Sequence, residues 1–95
     1  MENGIKGANI DFLVDCILAI QTREECHAFL EDLCTIPELK AMAQRVEVAK
    51  LLSEKKVYSE IVEETGASTA TISRVNRSLA YGSGGYSEIF SKVKI

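Results

Sequence analysis

The sequence predicts an all-α fold, a single small helical domain over residues 1–95. Apolar residues recur every three to four positions along most of the chain, and Thr or Ser residues that can cap helices stand just before several of these segments. The chain has 95 residues, of which 46% are apolar and 26% charged, with one proline. A domain of this length has a thin core, so partner chains are expected.

The first helical segment is apolar around most of its circumference. Its main stripe follows i, i+3, i+4, i+7, i+8 spacing, and further apolar residues widen the stripe. The stripe is Ile10, Leu13, Val14, Ile17 and Leu18, widened by Phe12, Cys16 and Ile20. A monomer of this size has little else to cover such a helix, which predicts a homodimer. The alternative is the core helix of a monomer.

Two capping boxes predict where the next helices begin. Thr22-x-x-Glu25 opens the second helix, and Thr35-x-x-Glu38 opens a longer one that continues to about Glu54. The longer helix has two apolar edges and is expected to contact neighbours on both sides. These edges are Leu39, Met42, Val46 and Ala49 on one side, and Ala41, Val48 and Leu52 on the other. Residues 10–54 are therefore expected to provide the dimerisation helices and a central helix.

A helix-turn-helix is predicted over residues 57–79. Gly66 can end a first helix in the left-handed conformation, and Ser68 can cap the N–H groups of a second helix that runs to Leu79. Ile72, Val75 and Leu79 turn inward on that second helix, which leaves a small, hydroxylated and basic outer face. Such a face suits the major groove, where hydroxyls and Arg reach bases and phosphates. The predicted DNA-binding residues are Ser68, Thr69, Ala70, Thr71, Ser73, Arg74 and Arg77.

The distribution of charge agrees with a nucleic-acid interface near the carboxyl end. The total of −3 argues at first against a polyanionic partner. However, residues 1–65 hold 7 Lys and Arg against 13 Asp and Glu, whereas residues 66–95 hold 4 against 1. The stretch from Ala67 to Gly85 contains no carboxylate.

The remaining segments suggest no second site. A glycine-rich break from Tyr81 to Gly85 precedes a short amphipathic helix predicted over residues 86–94. No apolar stretch is long enough for a membrane span, and the N-terminus has no secretory layout, so a cytoplasmic location is expected. No metal or cofactor is expected, because Cys16, Cys26 and Cys34 lie on apolar stripes without ligand spacing.

The stretch from Leu33 to Leu79 resembles the tryptophan repressor family, and the ending Ser78-Leu79-Ala80-Tyr81-Gly82 is similar to its YerC/YecD-type branch. The motifs are Arg45-Val46, Leu51-Leu52, Gly66-Ala67, Ala70-Thr71-Ile72-Ser73-Arg74 and Ser78-Leu79. The resemblance implies an all-helical dimer with interwound N-terminal helices. Each flank would then carry a helix-turn-helix that reads one half-site of a palindromic operator.

The resemblance also implies a possible effector pocket. Thr35, Arg45, Arg74 and Ser78 match the family's tryptophan pocket, but Val75 stands where the family has glycine. A branched side chain there would fill the space that an indole needs, so tryptophan is not expected to be the corepressor. An internal ion pair with a nearby Glu is the preferred role of Arg45, ahead of binding a smaller carboxylate ligand.

Three functions are compared. The preferred one is a sequence-specific transcriptional regulator, a repressor that binds double-stranded DNA as a homodimer. The alternative is a helical protein-interaction dimer without DNA binding, because Ser59, Val62 and Ala80 replace basic DNA-contacting residues of the family. An enzyme is not expected. The one pair that could suggest a nucleophile and a base is Cys26-His27, but adjacent side chains on a helix point about 100° apart and so cannot pair.

Overall fold

A computed structural model describes residues 7–93 of the chain. Within these residues there are six helices and no strand, which confirms the predicted all-α class. The helices are α1 (Ala8–Leu18), α2 (Arg23–Leu33), α3 (Ile36–Ser53), α4 (Tyr58–Thr65), α5 (Thr69–Tyr81) and α6 (Gly85–Lys92). The chain divides into two compact units, one up to Ile36 and one from Pro37 onward. A single domain over residues 1–95 stays a prediction.

The first unit contains α1 and α2, and it buries no side chain of residues 9–36 in the single chain. Phe12 and Leu18 on α1 are 68% and 76% exposed. The helix ends at Leu18, so Ile20, which the sequence placed on its stripe, lies beyond it. The apolar surface of α1 is thus available for burial by another chain.

The N-terminus of α2 contains the predicted capping interaction in a shifted form. The Thr22 hydroxyl accepts a hydrogen bond from the Glu25 N–H at 3.0 Å, as expected of an N-cap residue. The Glu25 carboxylate accepts from the N–H of Gln21 at 2.9 Å, one residue earlier than a capping box requires. Both backbone donors are satisfied, so the prediction of the helix start is confirmed although the second contact differs.

The second unit is built around a buried cluster that joins α3, α4 and α5. Its members are Val48, Ala49 and Leu51 on α3, Ile61 on α4, Ala67 in the turn, and Ile72 and Val75 on α5. Leu52, Tyr58, Leu79, Tyr86 and Phe90 pack against it. Because Tyr86 and Phe90 are both on α6, these contacts place α6 at the side of the same core, and the two aromatic rings lie 5.9 Å apart within the helix.

The predicted apolar edges of α3 are only partly correct. Val48 and Ala49 are buried, but Ala41 and Val46 are exposed, and Leu51 belongs to the core although it lies on neither predicted edge. The reason is that the buried residues of α3 are confined to its last two turns, where α4 and α5 cover it. In these two turns, a residue that belongs to neither predicted edge, Leu51, is buried as well.

The C-terminus of α3 turns into α4 through a left-handed residue that is not glycine. Lys55 has φ 66°, and the N–H groups of Lys55 and Lys56 donate to the carbonyls of Leu52 and Leu51 at 3.0 and 3.1 Å. This is the Schellman arrangement, which normally has glycine at the left-handed position. The Val57 N–H then donates to the Glu60 carboxylate at 3.2 Å, which satisfies a backbone donor at the start of α4.

The last helix has other bounds than the sequence predicted, and some predictions fall on residues that the structure does not describe. The last helix begins at Gly85 and ends at Lys92, whereas the sequence predicted residues 86–94. Residue Lys94 lies outside the described residues, as does most of the N-terminal segment considered for a secretory signal. In the described part of the chain, no helix combines the length and apolar character that crossing a membrane requires.

The two left-handed turn residues predict opposite effects of substitution. Lys55→Gly should raise the free energy of unfolding by about 0.5–1 kcal/mol, since a side chain at positive φ is strained. Gly66 has φ 73° and no neighbouring atom within 4 Å of an added Cβ, so Gly66→Ala should lower stability by about 1 kcal/mol through the backbone alone. Urea unfolding followed by circular dichroism measures both changes.

The control is Lys56→Gly, which removes the same charge at a residue without positive φ. It should not stabilise the protein. A Lys55→Gly variant that is no more stable than the unaltered chain would contradict the strain assigned to Lys55.

Candidate nucleic-acid interface

The turn between α4 and α5 has the geometry that the sequence predicted. Gly66 adopts the left-handed conformation with φ 73°, and its N–H donates to the Val62 carbonyl at 2.8 Å. Ser68 caps α5, because its hydroxyl accepts a hydrogen bond from the Thr71 N–H at 3.1 Å. A helix, a turn of three residues and a second helix follow each other, as in a helix-turn-helix.

The inward face of α5 is fixed by apolar packing. Ile72 and Val75 are buried in the core cluster, and Leu79, one turn further on, packs against it. These three positions follow i, i+3, i+7 spacing and therefore lie on one side of the helix. Their burial sets the rotation of α5 about its axis and so decides which residues face outward.

Most of the predicted DNA-binding residues are brought together on the outward face. Thr69, Ala70, Ser73, Arg74 and Arg77 are all exposed, at spacings of three and four residues. Within residues 7–93, neither Arg74 nor Arg77 makes an ion pair or a hydrogen bond. Their guanidinium groups are therefore unpaired donors on a face without carboxylates.

Ser68 and Thr71 have a different local role from the other predicted residues. The Ser68 hydroxyl also donates to the Thr71 hydroxyl at 3.1 Å, so the two side chains bond to each other at the start of α5. Thr71 is half-buried. Their first contribution is thus to the helix N-terminus, which such a cap stabilises by about 1 kcal/mol.

Tyr81 extends the outward face and was missed as a site residue. The sequence placed it at the beginning of the glycine-rich break, but it is the last residue of α5 and is 86% exposed. It lies four residues after Arg77 and therefore on the same side of the helix. The useful signal was the spacing from Arg77, together with the fact that Gly82 is the first helix breaker after it.

Two further residues that hold the turn were also missed. The side-chain amide of Gln44 on α3 donates to the backbone carbonyl of Thr65 at 3.2 Å. The Thr65 hydroxyl donates to the Ile61 carbonyl at 2.7 Å and accepts from the Ala67 N–H at 3.0 Å. Thr at a helix end is a known candidate for such backbone bonds, but the contact from Gln44 spans 21 residues and has no local sequence signal.

The residues of the possible effector pocket fall into different environments. Thr35 belongs to the first unit, and the other four belong to the second. Val75 is 2% exposed, whereas Arg45, Arg74 and Ser78 are exposed. The expected ion pair of Arg45 with a glutamate is absent among the described residues. The side chain of Val75 is thus covered by its neighbours in the core cluster.

A separate cleft of about 600 Å³ lies between α3, the end of α5 and α6. Ser78 is the one residue of the predicted effector pocket that lines it, within the part of the chain that the structure describes. Its other lining residues include Val46, Ile89 and Phe90, so the cleft is mainly apolar. It offers no guanidinium group to a carboxylate ligand.

Within residues 7–93, the cysteine and histidine residues form no hydrogen-bonded pair and no group of metal ligands. Cys16, Cys26 and Cys34 are half-buried free thiols. Cys26 and His27 both line a depression of about 370 Å³ on α2, with Arg23 and Leu30, but no hydrogen bond joins the two. The described chain contains no group of three or more His, Cys, Asp or Glu residues that could hold a metal ion.

Comparison with known proteins identifies the family. The model of the family described as "Trp repressor protein" matches residues 8–94. The chain belongs to the Trp repressor family. This confirms the resemblance seen in the sequence, and the match extends beyond the stretch from Leu33 to Leu79 on which that resemblance was based.

Relatives within the Trp repressor family share most of the chain. The uncharacterized protein YerC of Bacillus subtilis (strain 168) is 49% identical over 90 residues, which cover 95% of this chain and 86% of that protein. A crystal structure of a TrpR-like protein from Eubacterium eligens ATCC 27750 has a TM-score of 0.89 and 49% identity, covering 93% of this chain and 91% of that one. A structure from Staphylococcus aureus has a TM-score of 0.89 and 46% identity, covering 93% and 88%.

The burial of Val75 predicts that tryptophan is not bound in the family's manner. Calorimetry with tryptophan should show no micromolar binding, because the space for a planar ring beside α5 is filled by the valine side chain. The free amino acid should also leave the mobility of a DNA complex unchanged. Micromolar tryptophan binding that tightens a DNA complex would refute the inference that Val75 fills the space for the indole ring.

Proposed function

We propose that this chain is a sequence-specific transcriptional repressor that acts in the cytoplasm. In this proposal it binds a palindromic operator as a homodimer, with α4 and α5 of each copy as the helix-turn-helix. The observation that carries the proposal is the outward face of α5, where Arg74 and Arg77 are exposed and unpaired among small side chains. Membership of the Trp repressor family supports a DNA-binding regulator as the general class.

The order of residue types along α5 suits a helix that enters the major groove by its N-terminal end. Thr69 and Ala70 are short and stand in the first turn, where they allow the backbone to approach the base edges. Ser73, one turn later, can hydrogen-bond to a base or a phosphate. Arg74 and Arg77 can fork onto guanine or onto phosphate oxygens.

The charge of α4 limits how much the backbone contacts can contribute. Ser59 and Val62 are exposed and uncharged, and Glu63 and Glu64 add exposed carboxylates beside them. A helix with these carboxylates and no basic residue repels phosphates, so the electrostatic attraction has to come mainly from α5. The proposal therefore predicts a modest salt dependence carried by few arginines.

Dimerisation supplies the second half-site. The exposed apolar residues of α1, among them Phe12 and Leu18, offer the kind of surface that a second copy would bury. Two copies related by a two-fold axis present two α5 helices, which is why a palindromic operator is proposed.

The alternative function, an interaction dimer without DNA binding, is favoured by the acidic total charge of −3 and by the carboxylates of α4. The two functions differ in one observable. A regulator binds a selected duplex with an affinity that falls as salt rises, whereas an interaction module does not. Selection of sites from random DNA, followed by titration at several salt concentrations, distinguishes them.

Replacing either arginine on α5 should weaken DNA binding. Arg74→Ala and Arg77→Ala should each weaken the free energy of DNA binding by about 1–3 kcal/mol if the side chain contacts a base. If the side chain contacts a phosphate, the slope of log affinity against log salt concentration should fall by about one. Helicity should not change, because both side chains are exposed. Binding isotherms at three salt concentrations provide both quantities.

Arg23→Ala is the matched control, because it removes an exposed arginine from α2. It should leave affinity and slope close to those of the unaltered chain. Unaltered DNA affinity and salt slope in both α5 variants would contradict the placement of the DNA contacts on α5, whereas the absence of salt-dependent binding by the unaltered chain would favour the interaction dimer.

A further inference from the structure

Besides the apolar core, a side-chain hydrogen bond links the long helix to the end of α4, where the turn of the proposed helix-turn-helix begins. The amide of Gln44, in the middle of α3, donates to the carbonyl oxygen of Thr65 at 3.2 Å, and the contact is partly buried. Thr65 is the last residue of α4. The bond therefore joins residues that are 21 positions apart in the sequence, at the point where the chain bends toward α5.

The Thr65 carbonyl is one of the groups that a helix cannot satisfy by itself. The last four carbonyls of a helix have no partner within the helix and need one from elsewhere. In α4, the carbonyl of Val62 receives the Gly66 N–H, and that of Ile61 receives the Thr65 hydroxyl. The Thr65 carbonyl receives the Gln44 amide. Gln44 thus satisfies one terminal carbonyl of α4 from a different helix.

The same threonine also holds the first residue after the glycine. Its hydroxyl accepts from the N–H of Ala67 at 3.0 Å, and Ala67 is 2% exposed in the core. Ser68 follows and caps α5. A displacement of Thr65 would therefore also displace Ala67, and Ser68 and the first turn of α5 follow directly after it.

We propose that Gln44 is a positioning residue that fixes the direction of α5 for DNA binding. This inference rests on the proposed function. The apolar core holds α5 against α3 by contacts that have no strong directional preference, whereas a hydrogen bond restricts both distance and angle. Gln44 ties the turn to α3 in one geometry, so the outward face of α5 is prepared for the groove before DNA is bound and without a small molecule.

The test removes the hydrogen-bond donor of Gln44 and keeps the length of its side chain. Gln44→Met should weaken binding to the selected duplex about threefold to tenfold, the range expected for one lost intramolecular hydrogen bond. The salt slope should not change, because no phosphate contact is removed. Exchange of the Gly66 and Ala67 amide hydrogens should become faster, while the amides of α5 beyond its first turn keep their protection.

Ser53→Ala is the matched control, because the Ser53 hydroxyl donates to the Ala49 carbonyl within α3 at 2.9 Å and links no second element. It should leave DNA affinity and the exchange of Ala67 unchanged. Gln44→Ala serves as a second variant if the methionine variant does not fold, since alanine has the highest helix propensity.

The outcomes separate this inference from the proposed function. If the unaltered chain binds no duplex in a salt-dependent way, the proposed function and the positioning role both fall. If the unaltered chain binds and Gln44→Met binds equally well, only the positioning role is overturned. A salt slope that falls by about one in Gln44→Met would overturn it too, since the substitution would then have removed a phosphate contact made by a cationic residue and not only the hydrogen bond to Thr65.

Discussion

The burial of Ile72 and Val75 against α3 and α4 is the constraint on which the rest of the second unit depends. Both side chains are β-branched and therefore stiff, and they lie three residues apart on one side of α5. Once they are buried, the rotation of α5 is decided and Arg74 and Arg77 have to face outward. The outward face of α5 is thus a consequence of the core.

The distribution of charge explains how an acidic chain can offer a basic surface. The carboxylates lie mostly before Gly66, and the stretch that contains α5 has none. At physiological salt, charges more than about 8 Å apart are largely screened at a protein surface, so the local face matters more than the total. If this face binds DNA as proposed, a small number of α5 residues have to supply the attraction, because α4 is acidic.

The parts of the fold that follow from local chemistry were predictable from sequence. Gly66 and Ser68 mark the ends of two helices because the left-handed conformation and the hydroxyl cap are properties of single residues. The Gln44–Thr65 contact was not predictable, because nothing in the neighbourhood of either residue specifies the other. The burial of Leu51 was not predicted, because the buried part of α3 is not confined to one edge of the helix. The position of Tyr81 on α5 was not predicted, because Tyr81 stands at the start of a glycine-rich segment.

The central claim is that DNA contacts the outward face of α5, and nuclear magnetic resonance of the isotope-labelled chain tests it most directly. On titration with a duplex selected from random sequences, the amide signals of residues 69–81 should shift or broaden, and those of the buried Ile61 and Val48 should change little. Changes confined to α2 or α6, or no change with any duplex, would contradict the account.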